Sequence, residues 1–134
     1  MGIILDTSVL IEAERGRFDM ETFVDGREEE PFGLSVITVS ELLHGVHRAD
    51  SPKRRLRRGA YVEKVIEIFP MYPFEITSAR IYAEIWAELN KKGIQIGAHD
   101  LMIGSTALAL GFSVATFNSR HFRKIESLTL EVLS

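Results

Sequence analysis

The sequence predicts a three-layer α/β/α domain with a central, mainly parallel sheet, formed by residues 1–134 as a single domain. Short apolar runs of the buried-strand type alternate with amphipathic helical stretches along the whole chain. Because parallel strands need crossover connections, this alternation favours a parallel sheet with helices on both faces. A chain of 134 residues has the size of one domain, and no linker, repeat or low-complexity stretch divides it.

The first quarter of the chain predicts one strand and two helices. Residues 3–5 form a short apolar run, and Asp6 marks the start of a helical spacing that breaks up near Gly16. Residues 19–30 indicate a second, short helix, which ends at an acidic cluster and Pro31. The chain therefore passes from its first strand into its first helix at an acidic residue.

The second strand is predicted over residues 32–37, and a capping motif follows it. Thr38 and Glu41 are spaced as in a capping box, with the threonine as N-cap and the glutamate at the third helical position. Ser51 and Pro52 have the form of an N-cap and a first-turn proline. The helix that starts there carries apolar residues on or near one face: Leu56, Ala60, Val65, Ile66 and Phe69.

The second half of the chain predicts two more helices and three short extended segments. Phe74 and Ile76 form one extended segment, and Thr77 is the expected N-cap of a helix that Gly93 terminates. The remaining elements are a strongly apolar helix stopped by Gly111 and two strands, at residues 99–110, 112–117 and 128–132.

Composition narrows the possible chemistry. The hydrophobic fraction of 46% and the charged fraction of 26% are typical of soluble globular proteins. There is no cysteine, which excludes disulfides, thiolate metal sites and a cysteine nucleophile. The formal net charge of −3 does not by itself indicate a nucleic-acid binder. No basic segment precedes the first apolar run, so we expect no secretory signal and a cytoplasmic location.

Three acids, Asp6, Glu41 and Asp100, stand where apolar runs and helices meet. Each acid taken alone could be a helix cap, with its carboxylate bound to a backbone N–H. If the strands belong to one parallel sheet, however, the three carboxylates meet at the carboxyl edge, where such sheets bind ligands. Converged carboxylates need a hard cation such as Mg²⁺ or Mn²⁺. Such an ion suits the hydrolysis of a phosphodiester.

Two histidines neighbour these acids in the sequence. His44 lies one turn after Glu41, and a packing or surface role is favoured for it over a role in the site. His99 directly precedes Asp100, so on a helix the two side chains point about 100° apart and are not expected to bind one ion. Zinc is disfavoured, since the chain has neither cysteine nor an HExxH pair.

Four segments resemble, in order, the four motifs of PIN-domain ribonucleases. They read ILDTSVLI at residues 4–11, TVSELLHGV at 38–46, IGAHDLMI at 96–103 and TFNSRHF at 116–122. The similarity is closest to the VapC toxins of toxin–antitoxin pairs and spans nearly the whole chain. Any one of these motifs is weak evidence, but four in the correct order are strong.

The resemblance implies that Asp6, Glu41 and Asp100 form the metal site of a Mg²⁺- or Mn²⁺-dependent endoribonuclease that acts on structured RNA such as tRNA or ribosomal RNA. Supporting groups would come from three further residues, Ser8, Thr116 and Asn118. Asn118 and His121 occupy positions that are often acidic in relatives, so a second metal ion is expected to bind weakly. The implied partners are an antitoxin and a second copy of the chain.

The only dense basic run lies at residues 53–58. It is interpreted either as a solvated helix face or as a guide for RNA phosphates. The candidate RNA contacts are Arg54, Arg55, Arg57 and Arg58, with Arg120 and Arg123 near the fourth motif. A second stripe, spaced as a buried helix face and expected mainly in the core, consists of Ile81, Tyr82, Ile85, Trp86 and Leu89. Part of it could serve as a dimer or antitoxin surface.

Two other functions stay open at this stage. A PIN-like module that binds RNA or protein without cutting is compatible with Asn118 in place of a fourth acid. A receiver-like signalling domain also has acids at the carboxyl edge of a small parallel sheet. It normally has an acidic pair after the first strand and a lysine after a late one. Here Thr7 and Ser8 follow Asp6, and Phe117 and Asn118 follow Thr116.

Overall fold

Five parallel strands form the centre of the molecule in a computed structural model that describes all of residues 1–134. The strands are β1 (Ile3–Leu5), β2 (Phe32–Ser35), β3 (Met71–Tyr72), β4 (Ser113–Thr116) and β5 (Leu130–Val132). Their order across the sheet is β3-β2-β1-β4-β5, and every neighbouring pair is parallel. The predicted parallel sheet is confirmed, and β1 is its middle strand.

Helices make all the crossovers between the strands. They are α1 (Thr7–Glu14), α2 (Met20–Val24), α3 (Val36–His47), α4 (Pro52–Ile68), α5 (Ile76–Lys91), α6 (Ala98–Leu110) and α7 (Ser119–Phe122). None of them combines the length and the hydrophobicity that crossing a lipid bilayer requires.

The pleat of β1 sends neighbouring side chains into two cores on opposite faces of the sheet. Ile3 and Leu5 belong to a buried cluster that includes Val62 of α4. Ile4 belongs to a second cluster, which includes Leu101 of α6. Successive strand residues point to opposite faces, so helices are needed on both sides to cover them. The predicted three-layer α/β/α architecture is therefore confirmed.

The predicted capping box at Thr38 is wrong, because α3 begins three residues earlier. Ser35 is the N-cap, and its hydroxyl accepts a hydrogen bond from the Ile37 N–H at 3.0 Å. β2 therefore ends at Ser35 and not at residue 37. Serine and threonine cap helices comparably well, and the earlier start buries Thr38 completely inside the fold. Glu41 consequently lies in the second turn of α3.

The second helix is shorter than predicted. It covers only Met20–Val24 of the expected residues 19–30. Asp19 is its N-cap and accepts a hydrogen bond from the Thr22 N–H at 3.3 Å. Gly26 follows with a φ of 79°, a left-handed conformation that does not continue a helix. The acidic cluster before Pro31 therefore lies in a turn.

The extended segment predicted at Phe74 and Ile76 lies earlier in the chain. Met71 and Tyr72 form β3, because these two residues reach the edge of the sheet and pair with β2 in register. Ile76 is already the first residue of α5, with Glu75 as its N-cap. Thr77 is therefore not the cap of this helix.

Leu56 was expected on the buried face of α4, but its side chain is 78% exposed. Residues 52–57 are exposed throughout, so the start of α4 meets no core face that could receive it. The stripe on α5 is also only partly buried. Leu89 lies in the interior, whereas Trp86 is 52% exposed. Helical periodicity identified these faces but not how far the sheet extends beneath them.

Several local signals are confirmed. Ser51 accepts a hydrogen bond from the Arg54 N–H at 3.2 Å and caps α4, which has Pro52 in its first turn. Gly111 ends α6 in the left-handed conformation, with a φ of 72°. Gly93, with a φ of 69°, likewise follows the end of α5.

Candidate active site

Asp6 follows the middle strand and is almost completely buried. It is the N-cap residue of α1, yet its side chain makes no capping hydrogen bond. Its Oδ2 instead accepts hydrogen bonds from Ser8 Oγ at 2.7 Å and from Thr116 Oγ1 at 2.8 Å. Helix capping therefore does not explain the presence of aspartate at this position.

The two hydroxyls that hold Asp6 are themselves fixed by backbone groups. Ser8 Oγ accepts a hydrogen bond from the Phe117 N–H at 3.1 Å, and Thr116 Oγ1 accepts one from the Asn118 N–H at 2.8 Å. Each hydroxyl therefore directs its own proton to Asp6. The other carboxylate oxygen of Asp6, Oδ1, accepts no hydrogen bond and is not sealed from solvent. A rigid carboxylate with one free oxygen can bind a cation there.

Glu41 is held by residues from two other helices. Thr7 Oγ1 donates to Glu41 Oε1 at 2.6 Å and also lies 3.0 Å from the Thr38 hydroxyl. On the opposite side, His99 Nδ1 lies 3.4 Å from Glu41 Oε2. Glu41 therefore connects α1, α3 and α6 at the edge of the sheet.

Asp100, in the first turn of α6, contacts His121 of α7. The two side chains lie 3.1 Å apart, from His121 Nδ1 to Asp100 Oδ2. Burial raises the pKa of Asp100, and the carboxylates of Asp6 and Glu41 raise it further, whereas His121 acts in the opposite direction. The three acids are thus close enough for their charges to repel one another.

The three predicted acids line one cleft at the carboxyl ends of β1 and β4. Its volume is about 340 Å³, and Ser8, Asn118 and four other residues complete its wall. None of the lining residues is lysine or arginine. Glu12 lines the cleft as a further acid and lies 3.7 Å from Arg17, whereas the basic groups beside Glu41 and Asp100 are the imidazoles of His99 and His121.

The donor chemistry of this cleft fits a hard divalent ion. Such ions prefer oxygen ligands, and an ion would offset the repulsion that raises the pKa of Asp100. However, no three acidic or histidine side chains are already gathered closely enough to enclose an ion. Glu41 and Asp100 would have to turn from His99 and His121 toward Asp6. The sequence correctly brought the three acids to one cleft, but not to one preformed cage.

The Asp100→Asn variant is expected to stabilise the ion-free protein at neutral pH. A carboxyl with a raised pKa holds its proton more tightly in the folded chain, so stability falls as the pH rises between the unfolded and folded values. The penalty is absent well below the ordinary pKa of 3.8 and complete above the raised one. Asparagine carries no charge and can still accept a hydrogen bond from His121.

Thermal melts in EDTA from about pH 3 to about pH 7 measure this difference. The melting temperature of Asp100→Asn should exceed that of the wild type progressively as the pH rises. Asp25→Asn, at an exposed position away from the cleft, is the matched control and should show no such trend. A difference that does not change with pH would contradict the electrostatic explanation.

The predicted RNA-contact arginines are not equally available. Arg54 forms an ion pair with Asp50 at 3.0 Å, and Arg55 donates to the carbonyl oxygen of Ala49 at 3.2 Å. Arg57 is exposed on the same helix and forms no ion pair. Arg58 donates to the carbonyl oxygen of Gly45 at 3.1 Å and faces the space between α1, α3 and α4.

The two arginines near the fourth motif lie on a different helix from the basic run of α4. Arg120 belongs to α7, and Arg123 is its C-cap residue. Both follow Asn118, whose side chain lines the acidic cleft without capping α7. The predicted basic residues therefore belong to two separate helices, α4 and α7.

Four contributors to the site were not assigned from the sequence: Thr7, Thr38, His99 and His121. Thr7 is next to Asp6 in the first motif, and this adjacency was the one feature of the sequence that could have indicated a role for Thr7 in the site. Thr38 was interpreted as a cap because its spacing to Glu41 matched a known motif. His99 of α6 contacts Glu41 of α3, and His121 of α7 contacts Asp100 of α6. Both contacts depend on how α6 packs against α3 and α7, which the sequence does not show.

Comparisons with known proteins identify the family of this chain. The PIN domain family model matches residues 3–128. Ribonuclease VapC1 of Rickettsia felis is 36% identical, and the alignment covers 100% of this chain and 98% of that protein. A tRNA(fMet)-specific endonuclease VapC of Salmonella typhimurium is 31% identical over 96% of this chain and 95% of its own length.

Solved structures give the same fold. A VapBC2 structure from Rickettsia felis, bound to a DNA fragment from the promoter, matches with a TM-score of 0.90 at 24% identity over 100% of both chains. A DNA-bound VapBC structure from Salmonella typhimurium matches with a TM-score of 0.86 at 28% identity over 98% of both chains. The chain therefore belongs to the PIN domain family, among the VapC ribonucleases.

Proposed function

We propose that this protein is a Mg²⁺- or Mn²⁺-dependent endoribonuclease toxin that cuts structured RNA in the cytoplasm, with residues 1–134 acting as one domain. The observation that supports this most directly is the cleft shared by Asp6, Glu41 and Asp100. It has no lysine or arginine in its wall, and the pKa of Asp100 is raised partly by the two neighbouring carboxylates. Such a site needs a cation before it can approach an RNA phosphate.

Asp6, Glu41 and Asp100 would hold the ion. When bound, the ion acidifies a water molecule for attack on phosphorus and offsets charge on the leaving oxygen. Asp6 presents Oδ1 in a fixed position, because Ser8 and Thr116 bind its other oxygen. Glu41 and Asp100 line the side of the cleft that would face the substrate. Asn118 has an amide side chain where relatives often have a fourth acid.

Because Asn118 adds no negative charge, we propose one tightly bound ion. A second ion would be recruited only with substrate phosphate. Calorimetry with Mn²⁺ in the absence of RNA measures the stoichiometry directly. Two tightly occupied sites would contradict the proposal of a single ion.

Mn²⁺ should raise the melting temperature of the wild type much more than that of Asp100→Asn. An ion that binds only the folded chain stabilises it by about 2.7 kcal/mol at about a hundredfold excess over Kd. Differential scanning fluorimetry with and without Mn²⁺ gives this readout independently of cleavage. Asp25→Asn should respond as the wild type does. An equal response of Asp100→Asn would remove this carboxylate from the metal site.

Transfer RNA is the proposed substrate class, with ribosomal RNA as the other candidate. The support is the Salmonella relative, whose name specifies a tRNA. Arg54, Arg55 and Arg57 on α4, and Arg120 and Arg123 near the acids, would guide the phosphates of a folded RNA. Sequencing of new RNA ends after induction of the protein in cells would identify the target and the cut position.

We also propose a cognate antitoxin and a homodimer as partners. The VapBC structures are the support for the antitoxin. For the dimer, the support is Trp86 of α5, which is 52% exposed and forms a cluster with two partly buried aromatic residues. The rings of Tyr82 and Trp86 lie 5.7 Å apart, and Phe74 lies 5.8 Å from Tyr82. Sedimentation of wild type and Trp86→Ala would test whether this surface associates.

The second candidate is a PIN-like module that binds RNA or protein without cutting. Two observations favour it: Asn118 stands in place of a fourth acid, and no preformed cage of three ligands exists. This candidate predicts that growth inhibition survives the loss of Asp6. The endoribonuclease predicts that growth inhibition disappears.

A further inference from the structure

We propose that a second cleft, adjoining the acidic one, is a phosphate subsite for the RNA strand that flanks the scissile bond. We call it the basic cleft: it lies between α1, α3 and α4, and its lining contains three arginines, Arg15, Arg48 and Arg58, against two glutamates, Glu14 and Glu41. Its volume is about 580 Å³. This inference rests on the proposed endoribonuclease function and adds residues that the sequence did not indicate.

The basic cleft is continuous with the acidic one. Thr7, Ile11 and Glu41 line both, and His99, which contacts Glu41, lines the basic cleft. Glu41 therefore forms part of the wall between the two clefts. A polymer bound at the acids can extend into the basic cleft without leaving the surface.

The guanidinium groups of the basic cleft have N–H donors that are not used in hydrogen bonds or close ion pairs within the protein. Arg48 forms no ion pair, and Arg15 lies only within 3.9 Å of Glu12 at an exposed position. Arg58 is more constrained, since it donates to the Gly45 carbonyl oxygen and lies 4.0 Å from Glu14. Arginine guanidinium groups bind phosphate oxygens in a bidentate manner. Arg15 and Arg48 are therefore the groups most available to a phosphate.

The helical spacing places these groups at a useful distance from the acids. Glu41, His44 and Arg48 are related by three and then four residues and so follow one face of α3. With a rise of about 1.5 Å per residue, Arg48 lies about 10 Å along the helix from Glu41. A stacked strand rises about 3.4 Å per nucleotide. Arg48 is thus within about three nucleotides of the acids on this measure.

The lining of the basic cleft favours a nucleic acid over an amphipathic helix. Only three of its 13 lining residues are hydrophobic. A partner helix that binds in a groove buries an apolar face and needs apolar walls. A polyanion instead needs cationic groups that can replace its counterions. The basic cleft meets the second requirement and not the first.

The test is RNA binding by the full chain in EDTA, where no cleavage takes place. Fluorescence anisotropy with a labelled RNA stem-loop compares the wild type with the Arg15→Gln/Arg48→Gln double variant. We expect affinity to fall about tenfold and the slope of log affinity against log salt to shrink by about 1.4, at about 0.7 per lost phosphate contact. Arg58 is left unchanged because its hydrogen bond ties α4 to α3.

Arg80→Gln is the matched control. Arg80 is an exposed arginine on α5, outside the basic cleft and without an ion pair. Arg80→Gln should bind the stem-loop as the wild type does. For the Arg15→Gln/Arg48→Gln double variant, a melting temperature equal to that of the wild type confirms that it is folded. If the folded double variant keeps the wild-type affinity and salt slope, the subsite proposal is overturned. It is also overturned if that variant loses only the binding of an acidic peptide.

Cleavage assays with Mg²⁺ separate this proposal from the proposed function. If the wild type cuts the stem-loop and the double variant cuts and binds it equally well, the subsite fails and the endoribonuclease stands. If the wild type does not cut RNA but the double variant shows the expected loss of binding, the subsite stands and the endoribonuclease fails.

Discussion

The Asp6→Asn variant is expected to lose RNA cleavage, with kcat lowered at least about a hundredfold, as when one preorganised charge-stabilising group is removed from an active site. Asp6 is buried, fixed by two hydroxyls and left with one free oxygen toward the cleft. Asparagine has nearly the same shape but lacks the charge that a cation needs. Initial rates of cleavage of a tRNA substrate in Mg²⁺ measure the effect.

The fold should survive this substitution. Ser8 and Thr116 can donate to the amide oxygen of asparagine as they do to Oδ2, so the local hydrogen bonds persist. Asp25→Asn, which removes one exposed carboxylate elsewhere, should cut RNA at the wild-type rate. Circular dichroism of both variants checks that they are folded. Rates near wild type for Asp6→Asn, with EDTA abolishing activity, would exclude Asp6 from the chemistry.

The Phe122→Ala variant is expected to lower the free energy of unfolding by about 3–5 kcal/mol. Phe122 is fully buried and belongs to the cluster that contains Ile125 and Leu128. Gly104 of α6 allows this close packing, since a Cβ there would lie 2.6 Å from Ile125 Cδ1. Truncation of the ring would leave a cavity that these neighbours can fill only partly. Urea denaturation at equilibrium measures the loss.

Leu56→Ala is the informative control for Phe122→Ala. Helical periodicity placed Leu56 on a buried face, but its side chain is 78% exposed. Its truncation should change stability by no more than about 0.5 kcal/mol, as is usual at the surface. Similar losses from the two substitutions would mean that the start of α4 is covered in solution, for example by a partner.

The order of the elements and the gathering of the acids could be predicted from the sequence because both follow from topology. Alternating strands and helices require parallel pairing, and parallel strands bring their carboxyl ends to one edge. Asp6 at the end of β1, Glu41 on α3 and Asp100 on α6 then have one place to meet. These inferences need no knowledge of individual contacts.

Element boundaries required tertiary information. Ser35 and Thr38 are both competent caps, and the difference between them lies in the burial of Thr38 beside Thr7. The two residues of β3 carry too little pattern to be recognised without β2 beside them. Propensity alone cannot decide such cases, because packing overrides it.

The partners of the acids were beyond sequence inspection for the same reason. The histidine partners are the example: His99 and Glu41 are separated by 58 positions, and His121 and Asp100 by 21, yet the side chains of each pair lie close together. The basic cleft was also missed. Its arginines come from three different helices, and only Arg58 belongs to the dense basic run. A charge run is visible in a sequence, whereas isolated charges on facing helices are not.

The pairing of β1 with β4 has a consequence for folding of the chain during its synthesis on the ribosome. Ile3 pairs with Ser113, and the hydroxyl that fixes Asp6 comes from Thr116. Domains generally fold as units during synthesis, and here the first strand is enclosed on both sides only after residues 113–116 have been synthesised. The acidic cleft is therefore complete only after Thr116 and Asn118 have been synthesised. A chain that stops before β4 therefore has the buried aspartate but not the threonine hydroxyl that fixes it.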